Sequence, residues 1–188
     1  PTFTPSSTAT PSCVGYGPYS LPGRVQVESF ACGYSNVAFV DSTGDGGPGS
    51  GAYRTDVTTV GPDLATVSGG YYLGWIIPNE WIVYGVNSPS TQLYDLTFRA
   101  ASANANGRFH FEIYQSGQLK YTSSSIVVPN TGGSQVWNNV LVQSIPMLSG
   151  VNQVKLVFEV GDFNLDYFDF TAHPTPTATA TNPPTATN

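Results

Sequence analysis

The sequence predicts an all-β protein whose two sheets pack into a sandwich, and three observations carry this prediction. Only 10% of the 188 residues are charged, which is few for the surface of a helical protein, and 13% are aromatic. The 20 Gly and 15 Pro punctuate short segments rich in Val, Thr and aromatic side chains. Roughly nine or ten such segments follow one another at regular spacing, which is typical of a β-sandwich or barrel.

Alternating segments identify the strands. Leu93–Ala101 (LYDLTFRAA), Arg108–Tyr114 (RFHFEIY) and Arg24–Phe30 (RVQVESF) alternate between the two faces of a sheet. In the first two, the inward side chains are expected to be Tyr94, Leu96, Phe98, Ala100, Phe109, Phe111 and Ile113. Further strands are expected at Leu119–Val128, Val136–Gln143, Gln153–Val160 and Leu165–Thr171.

The stretch YYLGWIIPNEWIVY holds two of the three tryptophans. Its apolar runs Tyr71–Ile77 and Trp81–Tyr84 flank the turn-forming residues Pro78 and Asn79, so a hairpin is predicted. Gly74, which has no side chain, is expected to leave space beside Trp75. A flat ring with room above it suits a sugar ring.

The two ends of the chain read as linkers. Pro1–Ser12 (PTFTPSSTATPS) and Pro174–Asn188 (PTPTATATNPPTATN) are rich in Pro and Thr and carry no charged side chain. With no initiator Met at Pro1, residues 13–173 are predicted to be a middle module of a longer, secreted protein. Cys13 and Cys32 fit no metal motif, and in a secreted chain the pair predicts one disulfide.

Charge and residue spacing exclude several functions. The net charge of −6 makes nucleic acid and anionic membranes poor partners, and no apolar run approaches the roughly 18 residues of a membrane span. No pair of carboxylates is singled out for glycoside hydrolysis. His110 lies in an alternating strand and His173 borders the C-terminal tail, so Ser-His-Asp catalysis is not expected.

Three motifs, in order, resemble family-6 carbohydrate-binding modules. LGWIIPNEWIVY is similar to the family segment VGY/W-I-x-x-G-D/E-W-L-x-Y, VPNTGGSQVW to VPxTGGWQxW, and GDFNLDYFDF to GGFNLDYFxF. The resemblance runs from about Val25 to Thr171. It implies a monomeric, calcium-containing jelly roll that binds a polysaccharide without cleaving it, beside a catalytic module in the same chain.

The resemblance also implies the sugar-binding residues. Trp75 falls on the ring-stacking aromatic of the cleft and Asn164 on the asparagine that hydrogen-bonds the sugar, while Tyr53 and Asp162 are expected at the rim. Ser134 departs from the pattern, because many members carry a second stacking tryptophan there. One wall of the cleft should therefore be a small hydroxyl, with the loop of Tyr53 as a candidate for the missing wall.

A structural calcium site is the second implication. Glu28 and Asp166 match acidic residues that hold calcium in the family, and Gln26 replaces a third one while keeping a carbonyl oxygen. Ligand identity follows from a further match at Tyr53, Arg54, Asp56 and Val57 to an insertion often attached to β-glucan and agar hydrolases. This match favours chains of β-glucan or agar type, and xylan is a third expected ligand type.

Two alternatives stay open at this stage. One is a module of the related family-35 type, in which calcium itself helps to contact an acidic sugar. The other is a structural or adhesive β-sandwich domain with no glycan ligand.

Overall fold

The computed structural model describes residues 16–42, 53–54 and 61–174. Within these residues, thirteen strands form two sheets, which confirms the predicted all-β sandwich. The strands are β1 (Tyr19–Ser20), β2 (Gly23–Gln26), β3 (Phe39–Val40), β4 (Leu64–Val67), β5 (Gly70–Leu73), β6 (Trp81–Ser88), β7 (Gln92–Ser102), β8 (Arg108–Gln115), β9 (Gln118–Thr122), β10 (Ile126–Val127), β11 (Gly133–Met147), β12 (Gly150–Val160) and β13 (Asn164–Ala172).

Consecutive long strands alternate between the two sheets. The seven-stranded sheet has the order β1-β6-β12-β8-β10, with β3 also paired to β6 and β9 to β8. The six-stranded sheet has the order β11-β7-β13-β5-β4, with β2 also paired to β13. From β5 to β8 and from β11 to β13 the chain crosses from one sheet to the other at every connection, as in a jelly roll.

The core lies between the two inner faces and is largely aromatic. Phe98 of the six-stranded sheet packs edge-to-face against Phe109 of the seven-stranded sheet, with ring centroids 4.9 Å apart. Phe168 joins the same cluster, 5.5 Å from Phe98 and 4.9 Å from Tyr84. The alternation predicted for β7 and β8 is confirmed, because all seven side chains expected to point inward are buried.

The predicted hairpin between Tyr71–Ile77 and Trp81–Tyr84 is wrong. β5 ends at Leu73 and pairs with β4 and β13, whereas β6 begins at Trp81 and pairs in the other sheet. Residues 74–80 therefore form a link between sheets rather than a tight turn within one. Pro78 and Asn79 do lie where the chain changes direction, and Asn79 has a left-handed φ of 72°. This change of direction takes the chain from one sheet to the other.

Two of the predicted strands are interrupted in the structure. Arg24–Phe30 is extended only as far as Gln26, because the Ser29 amide turns back to donate to the Gln26 carbonyl at 3.0 Å. Leu119–Val128 is divided into β9 and β10. The first break follows from a hydrogen bond that alternation alone does not reveal.

Of the two predicted cysteine partners, the structure describes one. Cys32 is disulfide-bonded, and Cys13 lies outside the described residues. The proposed linkers also fall outside them, apart from Pro174. In the described part of the chain, no helix has the length and hydropathy needed to cross a membrane.

Candidate functional site

An open cavity of about 580 Å³ lies at the edge of the sandwich where β5 ends and β13 begins. Its walls come from four places: the end of β5 with the link that follows, the loop after β7, the start of β11, and the loop before β13. The residues that line it are Tyr72, Trp75, Ile76, Ile77, Ala103, Asn104, Ser134, Gln135, Asp162, Phe163 and Asn164. Four of the five predicted sugar-binding residues are therefore brought together.

Trp75 presents its indole to this cavity. Its side chain is 52% exposed, and its ring contacts no aromatic ring among the described residues. Its φ of 49° is left-handed, a conformation that is uncommon for a bulky residue and often found at functional sites. The backbone thus directs a large apolar ring outward, where a ligand can cover it.

Hydrogen bonds to Glu80 fix the link that carries Trp75. The Glu80 carboxylate is buried, and it accepts the Ile77 amide at 3.1 Å and the Ser42 amide at 3.0 Å. On the other side, a Cβ added at Gly161 would lie 1.9 Å from the Ile76 carbonyl oxygen. Only glycine permits this close approach between the link and the loop before β13.

Asn164 and Ser134 meet across the cavity wall. The Asn164 Nδ2 donates to the Ser134 carbonyl oxygen at 2.6 Å. A side-chain amide has two N–H donors and one carbonyl acceptor, so a second donor remains. Among the described residues, none donates a hydrogen bond to Asn164 Oδ1, which leaves both kinds of group for a ligand hydroxyl.

Asp162 lies on the loop before β13, with an exposed side chain and a left-handed φ of 65°. The buried Ser102 hydroxyl lies 2.8 Å from the Asp162 carbonyl oxygen and 2.7 Å from that of Asn104. The Ser102 backbone amide in turn donates to Thr131 Oγ1 at 2.9 Å. One buried serine at the end of β7 therefore ties together three loops around the cavity.

Tyr72 is a cavity residue that the sequence reasoning missed. It lies in β5 next to the buried Leu73, so alternation puts it on the opposite, outer face. Its ring packs edge-to-face on Trp137 at 5.6 Å. The space expected beside Trp75 is also filled, because a Cβ at Gly74 would meet Tyr72 Cε2 at 2.9 Å and Asn164 Oδ1 at 3.0 Å. Gln135 and Asn104 likewise carried no sequence signal.

Tyr53 is not brought to the cavity. Its hydroxyl lies 3.1 Å from Ser29 Oγ, and its half-buried ring packs against Tyr71 at 5.0 Å. Tyr71 is on the core side of β5, the face opposite Tyr72. Asp56, the neighbour expected in the same loop, lies outside the described residues.

The predicted metal ligands lie at the end of the pairing between β2 and β13, where Gln26 is opposite Tyr167 and the Val27 amide donates to the Asp166 carbonyl at 3.1 Å. Gln26 Oε1 and Glu28 Oε2 are buried and have no hydrogen-bond partner within the described residues. An orphaned amide oxygen and an orphaned carboxylate oxygen are the hard donors that Ca²⁺ prefers, so the residues present fit such an ion. Asp166 is also buried, with Oδ2 3.1 Å from Arg99 Nε.

Burial disfavours the charged forms of Glu28 and Asp166. Burial raises the pKa of Glu28 above its usual value, and the nearby Asp166 charge raises it further. Burial also raises the pKa of Asp166, although Arg99 and Arg24 counteract part of the effect. The described residues contain no cluster of three or more His, Cys, Asp and Glu suited to a metal, so Gln26 and backbone carbonyls would have to complete the shell.

A serine, a histidine and an aspartate also meet at the far end of β13. His173 Nδ1 lies 2.6 Å from Asp95 Oδ1, and His173 Nε2 lies 3.4 Å from Ser144 Oγ. The same Asp95 oxygen accepts the Ser144 backbone amide at 3.0 Å. Asp95 therefore bonds to the Ser144 backbone as well as to the His173 imidazole. These contacts connect β7, β11 and the end of β13, which is a structural role.

An exposed indole in an open cleft of a β-sandwich is suited to stacking on a sugar ring, and comparisons with known proteins point to the same class of ligand. The chain matches the model of the carbohydrate-binding module family 6 over residues 50–172. This match covers more than half of the chain. The search of curated proteins found no match.

Three solved structures illustrate the similarity. The C-terminal module of LamC, a marine laminarinase from Zobellia galactanivorans, is 25% identical with a TM-score of 0.56, covering 79% of this chain and 97% of that one. A module of Cellvibrio mixtus lichenase 5A in complex with cellotriose is 27% identical with a TM-score of 0.51, covering 61% and 87%. A β-1,3-glucan-binding module from Bacillus halodurans is 23% identical with a TM-score of 0.55, covering 82% and 98%.

The chain belongs to family 6 of the carbohydrate-binding modules. Since this family is non-catalytic, the chain is a carbohydrate-binding module and not an enzyme.

Proposed function

We propose that the module binds a polysaccharide of β-glucan, agar or xylan type in the cavity beside Trp75. The observation that carries the proposal is the 52% exposed indole in a cavity that Asn164 also lines. In this assignment the indole takes the apolar face of a pyranose ring, while Asn164 orients its hydroxyls. Ser134 and Asp162 border the same space.

Two related structures favour a β-glucan among these ligands. One module comes from a laminarinase, and the other, from a lichenase, is in complex with cellotriose. The first is 25% and the second 27% identical to this chain. The remaining ligand types rest on the motif resemblance alone.

Charge argues against an acidic sugar. Asp162 is the only charged side chain among the described residues that line the cavity, and it is negative. None of Gln26, Glu28 and Asp166 lines the cavity. A uronic acid or sulfated sugar would therefore meet a like charge and no basic side chain among the described lining residues, which disfavours the family-35 type of binding.

The expected affinity is weak. Covering one face of the Trp75 indole buries about 100 Å² of apolar surface, worth roughly 2.5 kcal/mol. A few exposed hydrogen bonds add about 1 kcal/mol each, less the cost of ordering the ligand. The dissociation constant should then be on the order of 10–1000 μM.

Replacing the indole tests the site. Trp75→Ala should abolish measurable binding to laminarihexaose, cellohexaose, xylohexaose and neoagarohexaose by titration calorimetry, because the stacking surface is lost. Its melting temperature should stay close to that of the wild type, because the indole is not part of the core. Tyr34→Ala, which removes another exposed aromatic ring, is the matched control and should bind normally.

Three results would contradict the proposal. If the wild type binds none of the four oligosaccharides, a structural or adhesive domain becomes the better assignment. If Trp75→Ala binds like the wild type, the site lies elsewhere. A large fall in melting temperature in Trp75→Ala would mean that the indole supports the fold.

We further propose that the module is extracellular and holds a linked catalytic module close to its polysaccharide. The Pro- and Thr-rich composition of residues 1–12 and 174–188 supports this, because such segments suit extended linkers. In the parent protein, Trp75→Ala should slow hydrolysis of insoluble polysaccharide and leave hydrolysis of short soluble oligosaccharides unchanged. Equal rates on the insoluble substrate would contradict the anchoring role.

We also propose that Gln26, Glu28 and Asp166 hold a structural calcium ion. Support comes from the two orphaned buried oxygens and from the burial of the Glu28 carboxyl, which raises its pKa. A bound divalent cation would neutralise the charge that burial makes costly. Its role would be to stabilise the fold, because these residues lie outside the cavity lining.

A further inference from the structure

We propose that Tyr72 forms the second aromatic wall of the sugar cleft, in place of the one that is lacking at Ser134, and that it makes the cleft prefer gluco- and xylo-configured chains. This inference rests on the proposed function, since it concerns the same cavity. It replaces the earlier expectation that the loop of Tyr53 supplies the wall, because Tyr53 packs on Tyr71 away from the cavity.

Tyr72 lies in the wall of the cavity. Tyr72 and Trp75 line the same cavity, and their rings make no contact with each other in the described structure. Ser134 lines it too, but its side chain offers no apolar face. The described lining residues include three aromatic residues, Tyr72, Trp75 and Phe163. Because Phe163 is only 3% exposed, Tyr72 is the aromatic residue that remains beside Trp75 to contact a ligand.

The Tyr72 ring is also held in place. Trp137 packs on it edge-to-face at 5.6 Å and 64°, and Gly74 leaves just enough room for its Cε2. A ring fixed before the ligand arrives loses little conformational entropy on binding. Trp137, which matches a tryptophan of the family pattern, therefore supports a wall that it does not itself form.

The configuration of the sugar also matters. In β-linked glucose and xylose chains every ring substituent is equatorial, so both faces of the ring present C–H groups. Two aromatic walls favour such a ring. A galactose unit, as in agar, has an axial hydroxyl that makes one face polar, so the second wall should gain little from it.

The test compares laminarihexaose with neoagarohexaose by titration calorimetry. Wild type should prefer laminarihexaose. Tyr72→Ala should weaken laminarihexaose binding about tenfold, the loss expected for one aromatic stacking contact, and leave neoagarohexaose almost unaffected. Tyr72→Phe keeps the ring and should bind both ligands like the wild type.

A rescue separates a wall from a merely structural role. Ser134→Trp introduced into Tyr72→Ala should restore laminarihexaose affinity, because it returns an aromatic face to the same cavity. If Tyr72 only supports the fold, the melting temperature falls and Ser134→Trp restores nothing, which would overturn the inference. Tyr34→Ala serves again as the control for loss of an exposed tyrosine.

The outcomes distinguish this inference from the proposed function. If the wild type binds none of laminarihexaose, cellohexaose, xylohexaose and neoagarohexaose, or Trp75→Ala binds as well as wild type, the proposed function fails and the inference with it. If Trp75→Ala loses binding while Tyr72→Ala stays within about twofold of wild type for laminarihexaose, the inference alone is overturned. An equal loss for both hexasaccharides in Tyr72→Ala would also overturn it, because the configuration of the sugar would not matter.

Discussion

At the scale of single residues, the shape of the cleft depends on the missing side chain of Gly74 as well as on the exposed indole of Trp75. The missing Cβ lets Tyr72 and Asn164 approach each other across the end of β5. Both of their groups would face a ligand, one through an aromatic ring and one through an amide. A glycine here therefore serves the arrangement of two neighbouring side chains, and its φ is not left-handed.

Gly74→Ala should weaken glycan binding by about 1–3 kcal/mol, the combined size of one stacking contact and one hydrogen bond. The added methyl would lie 2.9 Å from Tyr72 Cε2 and 3.0 Å from Asn164 Oδ1, so both side-chain ends must move. Titration calorimetry measures the affinity, and thermal unfolding checks that the fold survives. Gly85→Ala is the matched control, because its methyl would meet Pro18 at an ordinary 3.5 Å. Unchanged affinity in Gly74→Ala would contradict the placement of these two groups at the ligand.

At the scale of elements, the link of residues 74–80 between β5 and β6 decides where the indole lies. The Asn79 amide donates to the Phe158 carbonyl at 2.8 Å, and the Phe158 amide donates to the Glu80 carbonyl at 2.9 Å. The Glu80 carboxylate adds bonds to the Ile77 and Ser42 amides. Trp75 thus lies on an irregular segment whose C-terminal end, at Asn79 and Glu80, is hydrogen-bonded to β12 as a strand would be.

Glu80→Ala should lower the free energy of unfolding by about 1–3 kcal/mol, the cost of leaving two partly buried amide hydrogen bonds without their acceptor. It should also weaken glycan binding, because the segment that carries the exposed indole loses its anchor. Urea denaturation and titration calorimetry measure the two effects. Glu80→Gln keeps one acceptor oxygen and should be intermediate in both. If Glu80→Ala unfolds at the wild-type urea concentration, the link is held by other contacts.

The elements also show how far sequence reasoning reaches. Alternation in LYDLTFRAA and RFHFEIY predicted two strands and seven of their eight buried side chains, because burial on one face of a strand recurs at every second residue. The eighth, Ala101, breaks the alternation at the end of β7. The crossover at residues 74–80 was predicted as a hairpin, since a turn between two apolar runs has the same local chemistry whether the runs share a sheet or not. Tyr72 was missed for a related reason: its role depends on Trp137, which is distant in sequence.

At the scale of the whole molecule, the proposed calcium site and the cleft are joined through β5. Glu28 Oε1 accepts the Tyr71 backbone amide at 3.2 Å, and the next residue is Tyr72 in the cavity wall. Both sites also use β13, whose first residue is Asn164 and whose bulge carries Asp166. A cation at Glu28 would therefore stabilise the two strands that position the cleft.

Calcium should raise the melting temperature of metal-free protein, and the size of this rise should depend on pH. In metal-free protein the folded-state pKa of Glu28 lies above its unfolded value, because burial disfavours the charge. As pH rises through that window the unfolded state loses its proton first, so ionisation of Glu28 costs stability. The ionised carboxylate is the form that binds calcium, so the stabilisation by calcium grows over the same window. The difference in melting temperature with and without calcium should therefore widen as the pH rises above the usual glutamate pKa of about 4.3. Glu28→Gln should show a smaller difference with a weaker pH dependence, because Asp166 is then the one remaining carboxylate among the proposed ligands. A wild-type difference that is absent at neutral pH, or equal at every pH, would mean that Glu28 does not ligate calcium.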